Sequence, residues 1–132
     1  MKNTVFKGIA TAMVTPMTET GVDYEAFGRF IEFQIENGIN ALVAVGTTGE
    51  SATLSQEERK EVIRFTVEKV AGRVPVIAGT GTNNTEHVLD FTKSACACGA
   101  DAVLVVTPYY IRPPRAVCIS ISLWLPMLPP SR

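Results

Sequence analysis

Two short motifs place hydroxyl groups directly after apolar runs. Residues 46–51 read Gly-Thr-Thr-Gly-Glu-Ser and follow the apolar run 41–45, and residues 107–110 read Thr-Pro-Tyr-Tyr and follow the apolar run 102–106. Threonine and tyrosine hydroxyls can donate one hydrogen bond while accepting another, which is what a proton relay requires. Because α/β enzymes carry their chemistry at the carboxyl ends of parallel strands, the two motifs predict part of an active site.

Apolar runs alternate with amphipathic stretches over the first 110 residues, and this alternation predicts the elements that position the motifs. Strands are predicted at residues 8–14, 41–45, 74–78 and 102–106, with starts about 30 residues apart. Three helices are predicted between them. The second begins at a capping box, Ser55-Gln56-Glu57-Glu58, in which the first and last side chains can each bond the other's backbone N–H.

Apolar strands that alternate with helices are typical of a parallel sheet. A doubly wound dinucleotide-binding sheet requires a glycine fingerprint after its first strand. The nearest match, residues 79–84, follows the third strand and lacks the last glycine. Eight units of about 30 residues would give about 240, close to the ~250 residues of a (β/α)8 TIM barrel. We therefore predict an α/β fold in residues 1–110, the N-terminal half of a (β/α)8 TIM barrel with about four strands and three helices.

The composition narrows the classes of function. The chain has 132 residues, 46% hydrophobic residues and a formal net charge of −1, so we expect one modest domain with no bias toward nucleic acid or anionic membranes. Three cysteines, at positions 96, 98 and 118, lack zinc-site spacing, so no metal is predicted. The apolar run 117–128 is too short to span a bilayer, and residues 1–14 do not form a signal peptide. A soluble, cytoplasmic protein is expected.

Three motifs occur in an order and spacing that resembles the dihydrodipicolinate synthase (4-hydroxy-tetrahydrodipicolinate synthase) family. They are residues 46–51, 75–81 and 106–110, and Val-Thr-Pro at 14–16 closes the first strand. The resemblance covers residues 5–110. It implies a homotetramer built as a dimer of dimers. It also implies an enzyme that needs no cofactor. It also implies condensation of pyruvate with L-aspartate 4-semialdehyde through a lysine Schiff base, in lysine biosynthesis by the diaminopimelate pathway.

The resemblance also implies roles for three hydroxyl side chains. Thr47 and Tyr110 match the family's catalytic proton-relay positions, and Thr48 matches the position that holds the pyruvate carboxylate. The alternative, from the residues alone, is that the two threonines only close a strand-to-helix turn and that the tyrosines pack at the rim. Glu50 is expected to tie down its own loop, and Tyr109 is open to either role.

The lysine that would form the Schiff base has no counterpart in this chain. The five lysines precede the first strand or lie on predicted helices, at positions 2, 7, 60, 69 and 93. The isolated 132-residue chain is therefore expected to be inactive. Without the lysine no covalent intermediate forms, so the hydroxyl groups have nothing to transfer protons to or from. An open half-barrel also exposes two sheet edges and an apolar face, so we expect a poor monomer that forms oligomers.

Two other functions are compatible with the motifs. The sister group of N-acetylneuraminate lyases and keto-sugar-acid aldolases resembles Gly-Ser-Ser/Thr-Gly-Glu at the first motif, so the double threonine at 47–48 favours the synthase. The third possibility is a non-catalytic α/β fragment that binds a partner barrel. Assays with pyruvate plus aspartate semialdehyde, N-acetylneuraminate and keto-sugar acids would separate the three.

Residues 111–132 differ from the rest of the chain. They contain five of the eight prolines, the single tryptophan and none of the 13 acidic residues. Prolines at 113, 114 and 126 disfavour the fourth helix that a barrel would place here. Codons for residues 117–122 can encode Leu-Tyr-Gln-His-Phe in another frame, which resembles the family's continuation. We therefore predict an aberrant tail that arises from a frameshift just after Tyr110.

Overall fold

The computed structural model describes residues 4–110. The predicted frameshift-derived tail, residues 111–132, lies outside the described residues. Within residues 4–110, no helix is long and apolar enough to cross a membrane.

Strands and helices follow each other in the predicted order. The elements are β1 (Ala10–Ala12), β2 (Met17–Thr18), β3 (Gly21–Val22), α1 (Tyr24–Glu36), β4 (Ala41–Ala44), α2 (Gln56–Val70), β5 (Val76–Gly79), α3 (Thr85–Cys98) and β6 (Ala102–Leu104). β1, β4, β5 and β6 form a parallel sheet in that order, whereas β2 and β3 form a small antiparallel ribbon. The four parallel strands and three helices are confirmed, although each of the four strands is shorter than its predicted run.

The sequence pattern does not predict the β2–β3 ribbon, because each of its strands has only two residues. The Thr18 hydroxyl accepts from the Thr20 N–H and donates to the Gly21 carbonyl, both at 3.2 Å. Gly21 has φ 134°, a conformation that glycine adopts readily and other residues do not. The Asp23 N–H then donates to the Pro16 carbonyl at 2.8 Å, so the ribbon delivers the chain to the start of α1.

Side-chain caps set the start of each helix. Asp23 accepts from the Ala26 N–H at 2.9 Å before α1, and Asn84 caps α3. Ser55 and Glu58 form the predicted capping box: the Ser55 hydroxyl accepts from the Glu58 N–H at 3.2 Å, and the Glu58 carboxylate accepts from the Ser55 N–H at 2.8 Å. The hydrogen bond from the Ser55 N–H, and next the Ser55 side chain, lower the pKa of the Glu58 carboxyl. Because the caps define where the helices begin, they also define the length of each loop at the carboxyl ends of the strands.

The helices of the described chain pack on one face of the parallel sheet. Leu42 and Ala44 of β4 and Ala78 of β5 are fully buried in the core between the sheet and the helices. Side chains alternate along a strand, so the intervening residues face the other way. The register places four of these in one row, which defines a surface that we call the inner face: Ala12, Val43, Ile77 and Ala102.

Candidate active site

The carboxyl ends of β1, β4, β5 and β6 meet at one edge of the sheet, because these strands are parallel. The loop after β4, residues 45–55, has neighbours on both sides. On one side, the buried Thr15 hydroxyl after β1 donates to the Gly49 carbonyl at 2.9 Å. On the other side, residue 79 at the end of β5 lies against the loop backbone. The loop with the double threonine is therefore held between two strand ends.

Successive turns shape this loop. The Gly49 N–H donates to the Gly46 carbonyl, and the Glu50 N–H to the Thr47 carbonyl, both at 3.1 Å. The Thr53 hydroxyl and N–H both donate to the Glu50 carbonyl, at 2.8 and 2.9 Å. Glu50 therefore ties down the loop through its backbone, while the residue as a whole is exposed.

Two residues of the loop hold a left-handed backbone conformation: Val45 has φ 57° and Glu50 has φ 53°. For a residue with a side chain this conformation costs about 1–2 kcal/mol, so surrounding contacts must impose it. Val45 meets that requirement, because it is 2% exposed within the core. Backbone strain of this kind is concentrated at functional sites, which supports the placement of the site here.

Gly79 and Gly81 allow three strand ends to converge. A Cβ atom at residue 79 would overlap the Val45 carbonyl oxygen and lie 2.6 Å from its carbonyl carbon. A Cβ atom at residue 81 would overlap the Val106 backbone nitrogen and lie 2.7 Å from its Cγ1. Glycine is therefore the residue that fits at both positions. The converging strand ends enclose a small cavity of about 40 Å³, with Thr47 in its wall.

A larger cavity of about 250 Å³ shares part of this wall. Its lining residues are Thr47, Glu50, Ser51, Ala52, Gly81, Val106 and Tyr109. Thr47 and Ser51, which both carry hydroxyl groups, line both cavities. The volume is below the ~300–1,000 Å³ of sites for drug-sized ligands, so the cavity suits a small polar molecule.

The structure places the three predicted site residues differently. Thr47 and Thr48 are both exposed on the loop, but Thr47 lines both cavities and Thr48 lines neither. Tyr110 is 99% exposed, has φ 63° and also lines neither cavity. Tyr109, whose role the sequence leaves open, lines the larger cavity. Its ring lies edge-on to the ring of Tyr110, with 6.1 Å between the centroids.

Arg59 is a buried cation beside these loops that the sequence motifs do not indicate. It is 6% exposed, and its Nη2 lies 3.3 Å from the Gly79 carbonyl oxygen and 3.4 Å from that of Gly81. Its guanidinium carbon lies 4.0 Å from the centroid of the Phe91 ring. Burial lowers the pKa of Arg59, whereas the nearby Tyr109 opposes this lowering. Because a guanidinium remains protonated in proteins, Arg59 supplies a permanent positive charge that holds the β5–α3 loop.

A signal for Arg59 exists in the spacing of the buried residues of α2. Arg59 precedes Val62, Ile63, Thr66 and Val70 by 3, 4, 7 and 11 positions, which is one stripe of a helix. A cation on a buried stripe is normally paired or hydrogen-bonded, since burial without a partner is unfavourable. The stripe could therefore have indicated that this residue binds polar groups inside the protein.

The cavities offer hydroxyl groups but no amine nucleophile from the described residues. Within residues 4–110, the lysines lie before β1 or on α2 and α3, and none lines either cavity. In the same part of the chain, no group of three or more His, Cys, Asp or Glu side chains is placed to hold a metal ion. The described part of the site therefore presents the hydroxyl-bearing side chains Thr47 and Ser51, and no lysine from residues 4–110.

Four parallel strands in chain order, with helices on one face and a hydroxyl-lined cavity at their carboxyl ends, define the first half of a (β/α)8-barrel enzyme. A solved dihydrodipicolinate synthase from Aquifex aeolicus is similar, with a TM-score of 0.91 and 44% identity, covering 94% of this chain and 42% of that chain. A chloride-inhibited dihydrodipicolinate synthase from Acinetobacter baumannii, complexed with pyruvate, has a TM-score of 0.89 and 42% identity. That match covers 96% of this chain and 43% of that chain.

Sequence comparison agrees with the fold. A sequence model of the dihydrodipicolinate synthetase family matches residues 5–120. The 4-hydroxy-tetrahydrodipicolinate synthase of Thermoanaerobacter sp. (strain X514) is 56% identical over 106 residues, which are 80% of this chain and 36% of that relative. The chain belongs to the dihydrodipicolinate synthetase family, whose members are aldolase-type lyases. It spans 36% of the length of this curated relative, so it represents part of the barrel.

Proposed function

We propose that this chain is the N-terminal half of a 4-hydroxy-tetrahydrodipicolinate synthase. The enzyme would act in the cytoplasm, in lysine biosynthesis through diaminopimelate, and condense pyruvate with L-aspartate 4-semialdehyde. The observation that carries the proposal is the double-threonine loop, which puts Thr47 in the wall of two cavities at the strand ends. Support also comes from the relatives, since one that is 56% identical bears this name and another is complexed with pyruvate.

Proton transfer explains why hydroxyl groups line this site. In the proposed reaction a lysine amine attacks the keto carbon of pyruvate, a C–N bond forms, and the carbonyl oxygen leaves as water after accepting protons. Thr47 and Tyr110 form the relay that moves these protons, because each hydroxyl can accept one hydrogen bond while donating another. Thr48 donates to the pyruvate carboxylate from the same loop and so orients the substrate.

Tyr110 does not reach the cavities from its own half-barrel. It is 99% exposed and lines neither cavity. In the proposed homotetramer, a dimer of dimers, a neighbouring subunit covers this exposed ring, and Tyr110 joins the relay only in that assembly. Aromatic rings with a polar tip are enriched at such subunit contacts, because one end can be buried while the hydroxyl keeps a partner.

The 132-residue chain by itself lacks catalysis in this proposal, because no lysine of residues 4–110 lines either of the two cavities at the strand ends. The test is to incubate the chain with pyruvate, reduce with borohydride and measure its mass. No pyruvate adduct is expected, whereas the full-length Thermoanaerobacter relative should gain one as the positive control. An adduct on any lysine of the isolated chain would contradict the expectation.

The synthase activity is tested in a hybrid barrel, in which residues 1–110 are fused to the rest of the Thermoanaerobacter enzyme. We expect condensation of pyruvate with aspartate semialdehyde. Thr47→Val should lower kcat by about 10²-fold, the usual contribution of a proton-transfer group. Thr48→Val should mainly raise KM for pyruvate. Thr85→Val is the control, since this exposed threonine at the first residue of α3 lines neither cavity.

The hybrid also separates the two enzyme classes. Cleavage of N-acetylneuraminate or a keto-sugar acid, without condensation of aspartate semialdehyde, would assign the chain to the sister group. A hybrid that folds and forms the pyruvate adduct but catalyses neither reaction would refute the substrate assignment while leaving the Schiff-base chemistry in place.

The tail is a separate part of the proposal: residues 111–132 arise from a frameshift just after Tyr110. Its support is the cluster of prolines and the alternative frame that permits Leu-Tyr-Gln-His-Phe. Resequencing the coding DNA from codon 105 onward should show that one restored base reopens a frame of family length. A stop after Arg132 with no such downstream frame would refute the frameshift.

A further inference from the structure

The carboxyl end of β5 lies between the two segments that carry the hydroxyl motifs. Gly79 lies against the backbone of Val45, just before the double threonine. Gly81 lies against the backbone of Val106, just before Thr-Pro-Tyr-Tyr. Both approaches are so close that a Cβ atom on either glycine would overlap backbone atoms of its neighbour. A shift of residues 79–81 therefore moves the two motifs relative to each other.

Arg59 holds both of these glycines through one nitrogen atom. Its Nη2 lies 3.3 Å from the Gly79 carbonyl oxygen and 3.4 Å from that of Gly81. The arginine is itself fixed by two helices. Its N–H donates to the Ser55 carbonyl at 3.0 Å in the first turn of α2, and its guanidinium carbon lies 4.0 Å from the centroid of the buried Phe91 ring on α3. Arg59 therefore ties the end of β5 to both helices.

Tyr109 connects Arg59 to the larger cavity. It interacts electrostatically with Arg59, and it lines the larger cavity together with Thr47. Its ring also lies edge-on to the ring of Tyr110. We propose that Arg59 is a positioning residue, which sets the separation between the double-threonine loop and the two tyrosines and so the rate of proton transfer at the site. This inference rests on the proposed function, because it gives Arg59 a part in that reaction.

Arg59 acts through the backbone in this proposal and does not bind substrate, because it lines neither cavity. Protons pass between hydroxyl groups whose oxygen atoms are about 2.5–3.0 Å apart. A misplacement of ~1 Å can lower the rate of such a step about 10²-fold. A small shift of the end of β5 is therefore enough to slow the reaction without unfolding the site.

The kinetic signature of such a shift depends on what else holds the double-threonine loop. The Thr15 hydroxyl donates to the Gly49 carbonyl on the β1 side of the loop, so this contact remains when Arg59 is replaced. Thr48, which orients the pyruvate carboxylate in the proposed function, lies on the same loop. Loss of Arg59 should therefore lower kcat and leave KM for pyruvate nearly unchanged.

Substitutions of Arg59 in the hybrid barrel test the proposal. Arg59→Met keeps an unbranched side chain but removes every donor, so kcat for condensation should fall about tenfold while KM for pyruvate changes less than about twofold. Arg59→Lys should restore most of kcat, because one nitrogen serves both carbonyls and an ammonium group can donate to both. A lysine variant as slow as the methionine variant would overturn the proposal. So would a rise in KM with kcat unchanged.

Val70→Ala separates positioning from stability. Val70 is fully buried at the C-terminal end of α2, so its replacement removes core methyl groups and lowers the melting temperature without changing a contact of the β5–α3 loop. Its kcat, measured well below the melting temperature, should equal that of the unmodified hybrid. An equal loss of kcat in Val70→Ala and Arg59→Met would show that Arg59 acts through stability alone, which contradicts a positioning role.

Hydrogen exchange in the same hybrids reports the positions without catalysis. Arg59→Met should speed exchange in residues 79–83 and 104–110 and leave residues 46–51 unchanged, whereas Arg59→Lys should reverse the change. Exchange in residues 104–110 that does not respond to Arg59→Met would refute the inference. The unmodified hybrid keeps the two proposals apart. If it does not condense pyruvate with aspartate semialdehyde, the proposed function fails, and the exchange pattern alone decides whether Arg59 sets the separation of the two segments.

Discussion

The double-threonine loop after β4 and the Thr-Pro-Tyr-Tyr segment after β6 offer similar hydroxyl groups, but they differ in how many neighbours hold them. The loop after β4 is bonded to Thr15 on one side and lies against Gly79 on the other. The segment after β6 follows an outer strand, whose partner in the described chain is β5, and it ends at Tyr110, which is 99% exposed. Position in the sheet therefore decides which hydroxyls this half-barrel can hold in place.

Gly79→Ala should have the largest effect on stability, because residue 79 lies against the backbone of the loop after β4. The added Cβ would overlap the Val45 carbonyl, so β4 and β5 must separate. We expect the free energy of unfolding to fall by about 3 kcal/mol, measured by urea denaturation followed by circular dichroism. Gly28→Ala is the control within α1, where a Cβ has its nearest neighbour at 3.5 Å, and it should be neutral or stabilising.

Gly81→Ala applies the same change next to the segment that follows the outer strand β6. Its Cβ would overlap the Val106 nitrogen, but that segment follows an outer strand and can move away. The expected loss is about 1 kcal/mol. A loss as large as that of Gly79→Ala would show that the edge segment is as firmly held as the internal loop.

Arg59→Leu should have the second largest effect on stability, after Gly79→Ala. The variant removes the hydrogen bonds to the Gly79 and Gly81 carbonyls and the contact with the Phe91 ring. We expect a loss of about 2 kcal/mol in the free energy of unfolding and faster hydrogen exchange in the β5–α3 loop. Arg64→Leu, on the exposed side of α2, is the control and should change stability by no more than about 0.5 kcal/mol.

Thr15→Val removes one hydrogen bond from the internal loop while nearly keeping the side-chain shape. The buried Gly49 carbonyl loses its donor, so we expect a loss of about 1 kcal/mol. Hydrogen exchange should become faster in residues 46–51 and stay unchanged in residues 107–110. Faster exchange in both segments would show that the two loops are coupled, and the comparison between them would then fail.

Acidification should have the smallest effect on stability and should leave the structure of both loops unchanged. Hydrogen bonds from Arg73, and next from Lys69, lower the pKa of Glu32 from 4.5 to about 2. A lowered pKa means that the charged carboxylate stabilises the fold above pH 4.5 and that this contribution is lost as the pH falls toward about 2. Glu32→Gln should flatten this part of the stability profile, measured by thermal unfolding. A parallel loosening of residues 46–51 would show that the loop depends on this distant ion pair.

The sequence by itself determined the features that depend on residues close together in the chain. The capping box of Ser55 and Glu58 spans one turn of helix, and it forms as the pattern predicts. The apolar runs that became β1, β4, β5 and β6 are likewise local, and the parallel order of these strands follows from the helices between them. The two hydroxyl motifs therefore stand at strand ends, as predicted.

Tertiary structure alone decided which side chains enter the cavities. Tyr109 lines the larger cavity and Tyr110 does not, although the two are adjacent in sequence. Arg59 is held by carbonyls of Gly79 and Gly81, 20 and 22 residues away. These contacts depend on how closely strand ends approach each other across the sheet. That distance is set by the packing of elements far apart in the chain, which no local pattern records.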